Sequence, residues 1–461
     1  MTTFFKTKFE FILISPLVVN FLFNIFNNDL NFELTFFDLV SSLLIFLFLY
    51  LVGLCIKNLN PDLTITFGII LYLLSFFLFE SIALFFFRDI NLHMTFLLTN
   101  LIWTITFLLK LEKKSLYFFS LISYLVLNYF NNLFNNFLTS DINISGDVFD
   151  IFLPNTNLIY NDSFYSSVVN PEMTGYPVFM SFIDALIYKI SFNFESYQFF
   201  VSSSFVFFWL FCLMFFELKL SNKNKFFLVS LFSILILNSS WMRFLFLTSL
   251  MSERIASFLF LGILACMYRQ ENFTNYSAFI CLFAFGFMYY TKQFFSILVL
   301  VLFALHLFKK SYRKSAVFLI IGFIFKQITH LTYFNGIPQD HHIKQIDVFD
   351  AVFDLLLLRN LEFENVILIL KNLFIDIPAT YFLLVFILFT IINFFISNDL
   401  TYEIKIYSIL SLLNVVFIFC LYLSVWKDME LESPVRYIYS FIPIYCVIFS
   451  MSVENIKQKI L

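Results

Sequence analysis

Apolar side chains in this chain fall into long unbroken runs, separated by short clusters of Lys, Asn, Asp and Ser. Runs of roughly 16 to 25 apolar residues are long enough to cross a hydrocarbon core of about 30 Å as helices. They lie at 9–27, 37–56, 64–87, 95–110, 115–139, 197–218, 225–240, 254–269, 276–291, 293–308, 315–333, 376–397, 404–425 and 436–453. The pattern predicts an all-α polytopic membrane protein of about fourteen transmembrane helices. One stretch breaks it. Residues 176–190 are apolar but contain Asp184 and Lys189 and are short for a crossing, so they read as an interfacial helix on the outer surface.

Composition narrows the class. The 461 residues are 61% hydrophobic and only 13% charged, with a mean hydropathy of +0.89, whereas soluble domains carry about 25% charged residues. Lys and Arg total 28 against 31 acidic residues, a net charge of −3, which offers no basic surface for nucleic acid. Phe occupies 74 positions, Gly 8 and Pro 9, which excludes disordered and collagen-like classes. The 6 cysteines sit inside apolar runs without CxxC spacing and suggest neither disulfides nor a thiolate metal site. The first run follows Lys6 and Lys8 with no small-residue cleavage site after it, so it reads as a retained anchor.

Orientation follows from Lys and Arg, which collect in short cytoplasmic connections. With the N-terminus inside, most of them fall in the inner loops, including Lys57, Lys110, Lys113, Lys219, Lys309 and Arg313. The reading is therefore a multi-pass protein of the plasma (inner) membrane with both termini cytoplasmic. Two long segments, 140–196 and 334–375, are left on the outer face, where chemistry is expected.

The first outer segment carries Asp141, Asp147, Asp150, Asp162 and Glu172 between Ser140 and Tyr176, with no basic residue. Carboxylates held near a membrane surface suit a general base or a metal ligand, although a solvated acidic loop has the same composition. Asn128, Asn131, Asn132, Asn135 and Asn136 form one stripe leading into it. Amides facing lipid are costly, so the stripe is expected to face protein or a wet cavity. Trp241, Arg243, Glu253 and Arg254 occupy a short outer loop, where an acid could pair with either Arg or take a substrate hydroxyl. Interfacial anchoring explains them equally well. Lys292, Lys326 with His330, and Arg436 lie near outer helix ends, placed to receive a lipid phosphate or to snorkel to headgroups. His341 and His342 are adjacent and point in different directions on a helix, a poor metal pair. No HExxH, GxSxG, Walker-type or GxGxxG pattern occurs.

From about Ser115 onward the order of these features resembles the GT-C superfamily of polytopic glycosyltransferases, which includes protein O-mannosyltransferases and aminoarabinose transferases. The residues that carry the resemblance are Gly146-Asp147-Val148-Phe149-Asp150, Asn170-Pro171 and Tyr176-Pro177. Further on are Ser252-Glu253, Gly286 followed by Tyr290-Thr291-Lys292, and Pro434-Val435-Arg436-Tyr437 with Pro443. The resemblance implies a GT-C-like core at 115–461 behind a four-helix membrane extension at 1–114.

It also implies transfer of a sugar from a polyprenyl-phosphate donor to a lipid, glycan or protein acceptor at the outer face, by inverting single displacement. Asp147 would act as general base or would position the acceptor, with Asp150 as its alternate, and Lys292 and Arg436, helped by Lys326, would neutralise the phosphate leaving group. Glu253, Arg243 and Tyr176 are further substrate-binding candidates, and His341 is one from the later loop. The sequence requires no cofactor, and Asp147 with Asp150 is the place where a divalent cation could sit if one is used. Membrane lipids are the other expected partners. Two alternatives stand beside this: a lipid-linked glycan transporter or flippase, and an O-antigen ligase or polymerase type of enzyme using the 334–375 loop.

Overall fold

The computed structural model describes residues 36–87, 91–134, 153–161, 179–191, 198–218, 220–243, 245–246, 254–259, 261–262, 363–374, 376–396 and 438–460, with isolated positions between 313 and 324 and between 408 and 416. Among the described residues every regular element is helical and no strand occurs. Most of the apolar runs of this part of the sequence become helices: α1 Phe36–Leu59, α2 Ile65–Phe87, α3 Leu92–Lys110, α4 Lys114–Phe134, α5 Leu153–Asn161, α6 Phe179–Ser191 and α7 Gln198–Glu217. They continue as α8 Asn222–Asn238, α9 Ser240–Arg243, α10 Phe363–Leu373, α11 Ile377–Ile396 and α12 Ile442–Ile460.

Two compact units divide the chain. The first takes residues 1–219, 246–296 and 321–341, and the second takes 220–245, 297–320 and 342–461. In the first unit α1 packs on α2, α4 and α7, so helices from either side of residue 114 share one core. Glycine sets the closest of these contacts. A Cβ on Gly53 of α1 would lie 2.6 Å from the Ile65 carbonyl oxygen, and one on Gly68 of α2 would lie 2.7 Å from the Gly53 carbonyl oxygen. The two backbones touch where only hydrogen atoms fit.

The same crossing is fixed at its end by Glu217, the last residue of α7. Its two carboxylate oxygens accept from the backbone N–H of Ile65 at 2.6 Å and of Thr66 at 2.8 Å. They satisfy donors that the first turn of α2 leaves unpaired. In the second unit Glu454 of α12 plays the same part for α8, accepting from the backbone N–H and hydroxyl of Ser221, at 3.3 and 2.8 Å, and from the Asn224 amide.

α3 is arranged with its apolar surface outward. Leu92, Thr95, Phe96, Thr99 and Phe107 are buried, whereas Met94, Leu97, Leu98, Leu101, Ile102, Ile105, Leu108 and Leu109 are exposed. Its polar side chains are spent on neighbours: Asn100 accepts from the Tyr72 hydroxyl at 2.9 Å, Trp103 donates to Ser75 at 2.9 Å, and Thr104 accepts from Tyr117 at 3.1 Å. Phe118, Phe119, Ile122 and Leu125 extend the exposed apolar surface along α4. Val40–Leu59 and Leu92–Lys110 are the two described helices long and apolar enough to cross a membrane.

α6 departs from the sequence reading. The helix forms, but it is not laid on a surface: residues 180–190 are buried, save half-buried Lys189. Five helices of its unit, α1, α2, α4, α5 and α7, pack around it. Its polar positions explain the difference, because they find partners inside the bundle.

Candidate functional site

Asp184 stands at the centre of α6, fully buried. One carboxylate oxygen accepts a hydrogen bond from the Ser203 hydroxyl of α7 at 2.8 Å. The same oxygen lies 3.9 Å from a guanidinium nitrogen of Arg254, also fully buried. The guanidinium carbon of Arg254 sits 4.6 Å from the centre of the Phe207 ring, one helical turn beyond Ser203, where the ring face favours a cation.

Burial pushes the Asp184 carboxyl up to about 6, against the opposing pull of Arg254 and then of Ser203. Tyr188, one turn along α6, is raised well above the usual phenol range, first by burial and next by the Asp184 charge. Lys189 has its ammonium 4.9 Å from the centre of the Tyr160 ring of α5, and burial lowers its pKa. The group is a desolvated acid and base on separate elements, buried in a bundle, with one Asp184 oxygen unpartnered among the described residues.

Its place in the sequence gives it significance. Asp184 belongs to the 140–196 segment, and Arg254 directly follows Glu253 at the end of the loop that begins near Trp241. The pair thus ties two of the segments that carry expected site residues. Arg254 was readable as a partner for a nearby acid, but the acid it meets is Asp184. A pair so distant in sequence leaves no local spacing to read.

The expected site residues themselves lie mostly beyond what the structure describes. Asp147, Asp150, Tyr176, Glu253, Lys292, Lys326, His341 and Arg436 fall outside the described residues. Arg243 closes α9, and its side chain is outside them as well. Of the asparagine stripe, Asn128 is described and half-buried; its amide N–H donates to the Tyr124 carbonyl at 2.8 Å.

The second unit holds a buried acid that the sequence reading passed over. One oxygen of Asp376 accepts from the Ser239 hydroxyl at 2.7 Å, the Ser240 hydroxyl at 3.2 Å and the Trp241 backbone N–H at 2.7 Å. The other reaches the Ala379 N–H at 3.5 Å and caps α11. The order Asp376-Ile377-Pro378 is a helix-start signal that points to this role. Among the described residues no group of three or more His, Cys, Asp or Glu gathers to hold a metal ion. Comparison with protein-family models, with curated proteins and with solved structures returns no match for this chain.

Proposed function

We propose that this chain is a multi-pass protein of the plasma membrane, with about fourteen spans and both termini cytoplasmic, that transfers a sugar from a polyprenyl-phosphate donor to an acceptor at the outer face. Two observations support the membrane placement. The outward leucines of α3 form an apolar surface that suits lipid and is a liability in water. The contacts also agree with one topology: Glu217 meets the start of α2, two ends assigned to the cytoplasmic side, and Asp184 meets Ser203 and Arg254, all assigned to the outer side.

The buried Asp184–Arg254 contact carries the functional reading. It fastens the acidic outer segment to the loop ending in Glu253, as a site built from both segments requires. In this reading the acceptor oxygen forms a bond to the anomeric carbon as the bond from that carbon to the phosphate oxygen breaks. Asp147 takes the acceptor proton, with Asp150 as its alternate, and the electron pair leaves on the polyprenyl phosphate. Lys292, Lys326 and Arg436 neutralise that charge, the larger electrostatic contribution to such a transition state. Glu253, Arg243 and Tyr176 orient donor and acceptor.

The test is sugar release in membranes from a panel of radiolabelled polyprenyl-phosphate monosaccharides. Asp147→Asn is expected to lower the rate about 10²- to 10⁴-fold, the usual worth of a general base, with His341→Ala near wild type. Absence of transfer from every donor by the wild-type protein, or loss confined to His341→Ala, contradicts the proposal; the second outcome points to the later loop instead.

A further inference from the structure

α10 closes the later outer segment, and its exposed side is not that of a helix standing in water. Ile367, Leu370 and Phe374 are 57%, 43% and 52% exposed, and at i, i+3 and i+7 they form one row. Helical hydrogen bonding carries the row to its end, the Phe374 N–H donating to the Leu370 carbonyl at 3.1 Å. Glu364 and Lys371 are exposed as well and, seven residues apart, flank the row on one side. No other charged residue occurs in Phe363–Leu373, so the helix carries no net charge.

The start of α11 fixes where this row lies. Leu373, the last residue of α10, stands three positions before Asp376, a reach of about 10 Å at most. Asp376 caps α11 and accepts from the Trp241 backbone N–H, so two ends assigned to the outer side meet at this point. Beyond the cap the exposure continues on α11 at Ile377, Tyr381, Leu384, Val385 and Leu388. Its opposite face turns inward through Ala379, Leu383 and Phe386, and the Phe386 ring stacks on Tyr445 of α12 with centres 4.8 Å apart. Exposed apolar side chains thus stand on both sides of the cap, close to one level.

We infer that α10 lies in the outer leaflet of the bilayer, with Ile367, Leu370 and Phe374 among the acyl chains and Glu364 and Lys371 at the headgroups. The inference rests on the membrane placement proposed above and gives a lipid contact to the end of a segment otherwise assigned to water. The 11 residues of α10 make about 16 Å of helix, too short to cross a core of about 30 Å. An apolar row with a charged flank instead suits the boundary between headgroups and chains. With one charge of each sign, insertion is driven by apolar burial and needs no anionic lipid.

The test uses full-length protein in vesicles of phosphatidylethanolamine and phosphatidylcholine, with Leu370, Phe374 or, on α3, Leu101 replaced singly by the photoreactive residue benzoylphenylalanine. Irradiation is expected to give lipid adducts at Leu370 and Phe374 as abundant as those at Leu101, unchanged when phosphatidylglycerol is added. Adducts at Leu101 with none at Leu370 or Phe374 overturn the inference and leave the membrane placement standing. Absence of lipid adducts at all three positions overturns both. Crosslinks from Leu370 and Phe374 to a second copy in place of lipid, or adducts that appear only with phosphatidylglycerol, also contradict it. The replacement at Phe374 keeps an aromatic side chain, so it decides the matter if the Leu370 variant fails to fold.

Discussion

α3 and α6 each carry polar residues on one stripe, yet the bundle treats them oppositely. α3 turns Thr95, Thr99 and Asn100 inward and leaves a full face of leucine and isoleucine exposed. α6 has no such face: Asp184 meets Ser203 and Arg254, and residues around it are covered. A helix that hides its polar side chains and shows its apolar ones is suited to lipid, where apolar surface costs nothing. A helix closed on every side is held by its partners, and for α6 the buried ion pair is the specific one.

Breaking that pair should have the largest effect. Arg254→Leu leaves Asp184 buried without its counter-charge, a loss of about 3–5 kcal/mol, measured as thermal unfolding in nanodiscs. Adding Asp184→Asn should recover much of it, because the stranded charge is gone. The wild-type pair also sets a pH dependence. Asp184 rises from 3.8 to about 6 on folding, through burial foremost, so the folded chain binds this proton more tightly than the unfolded chain. Its contribution to stability is greatest at low pH and declines as the pH rises through that interval. Stability that climbs across the same interval in the wild type but not in Asp184→Asn would contradict the assignment.

Leu101→Lys probes the other helix. Facing lipid near mid-membrane, a lysine costs about 2.5–3.5 kcal/mol, whereas at a water-exposed site the change stays within about 0.5 kcal/mol. The smallest effect is expected from Ser203→Ala, which removes one hydrogen bond to Asp184 and should cost about 1.5 kcal/mol. If Ser203→Ala proves as damaging as Arg254→Leu, the hydrogen bond and not the ion pair holds α6.

Much of the helical layout was legible because long apolar runs leave few alternatives. The expected 64–87 and 197–218 became Ile65–Phe87 and Gln198–Glu217, close to their Lys, Asn and Pro borders. The 225–240 run began earlier, at Asn222, because Ser221 caps the helix, its hydroxyl accepting from the Asn224 N–H at 3.4 Å. What the sequence did not disclose is how distant polar residues meet. Asp184 was visible as an obstacle to spanning, but its partner follows from tertiary packing alone. Glu217 and Glu454 cap helices far from them in sequence, and no local spacing announces that. The candidate catalytic residues Asp147 and Asp150 rest on motif order alone, since they lie outside the described residues.

Photolabelling with a phospholipid that carries a diazirine on its acyl chain, followed by mass-spectrometric mapping, bears most directly on the central claim that this bundle sits in a bilayer with α6 walled off by protein. Adducts are expected along α3 and α4, at Leu97, Leu101, Ile105 and Leu125 among others, and none between Met180 and Ile190. An unlabelled α3, or labelling of α6 as heavy as that of α3, would contradict it.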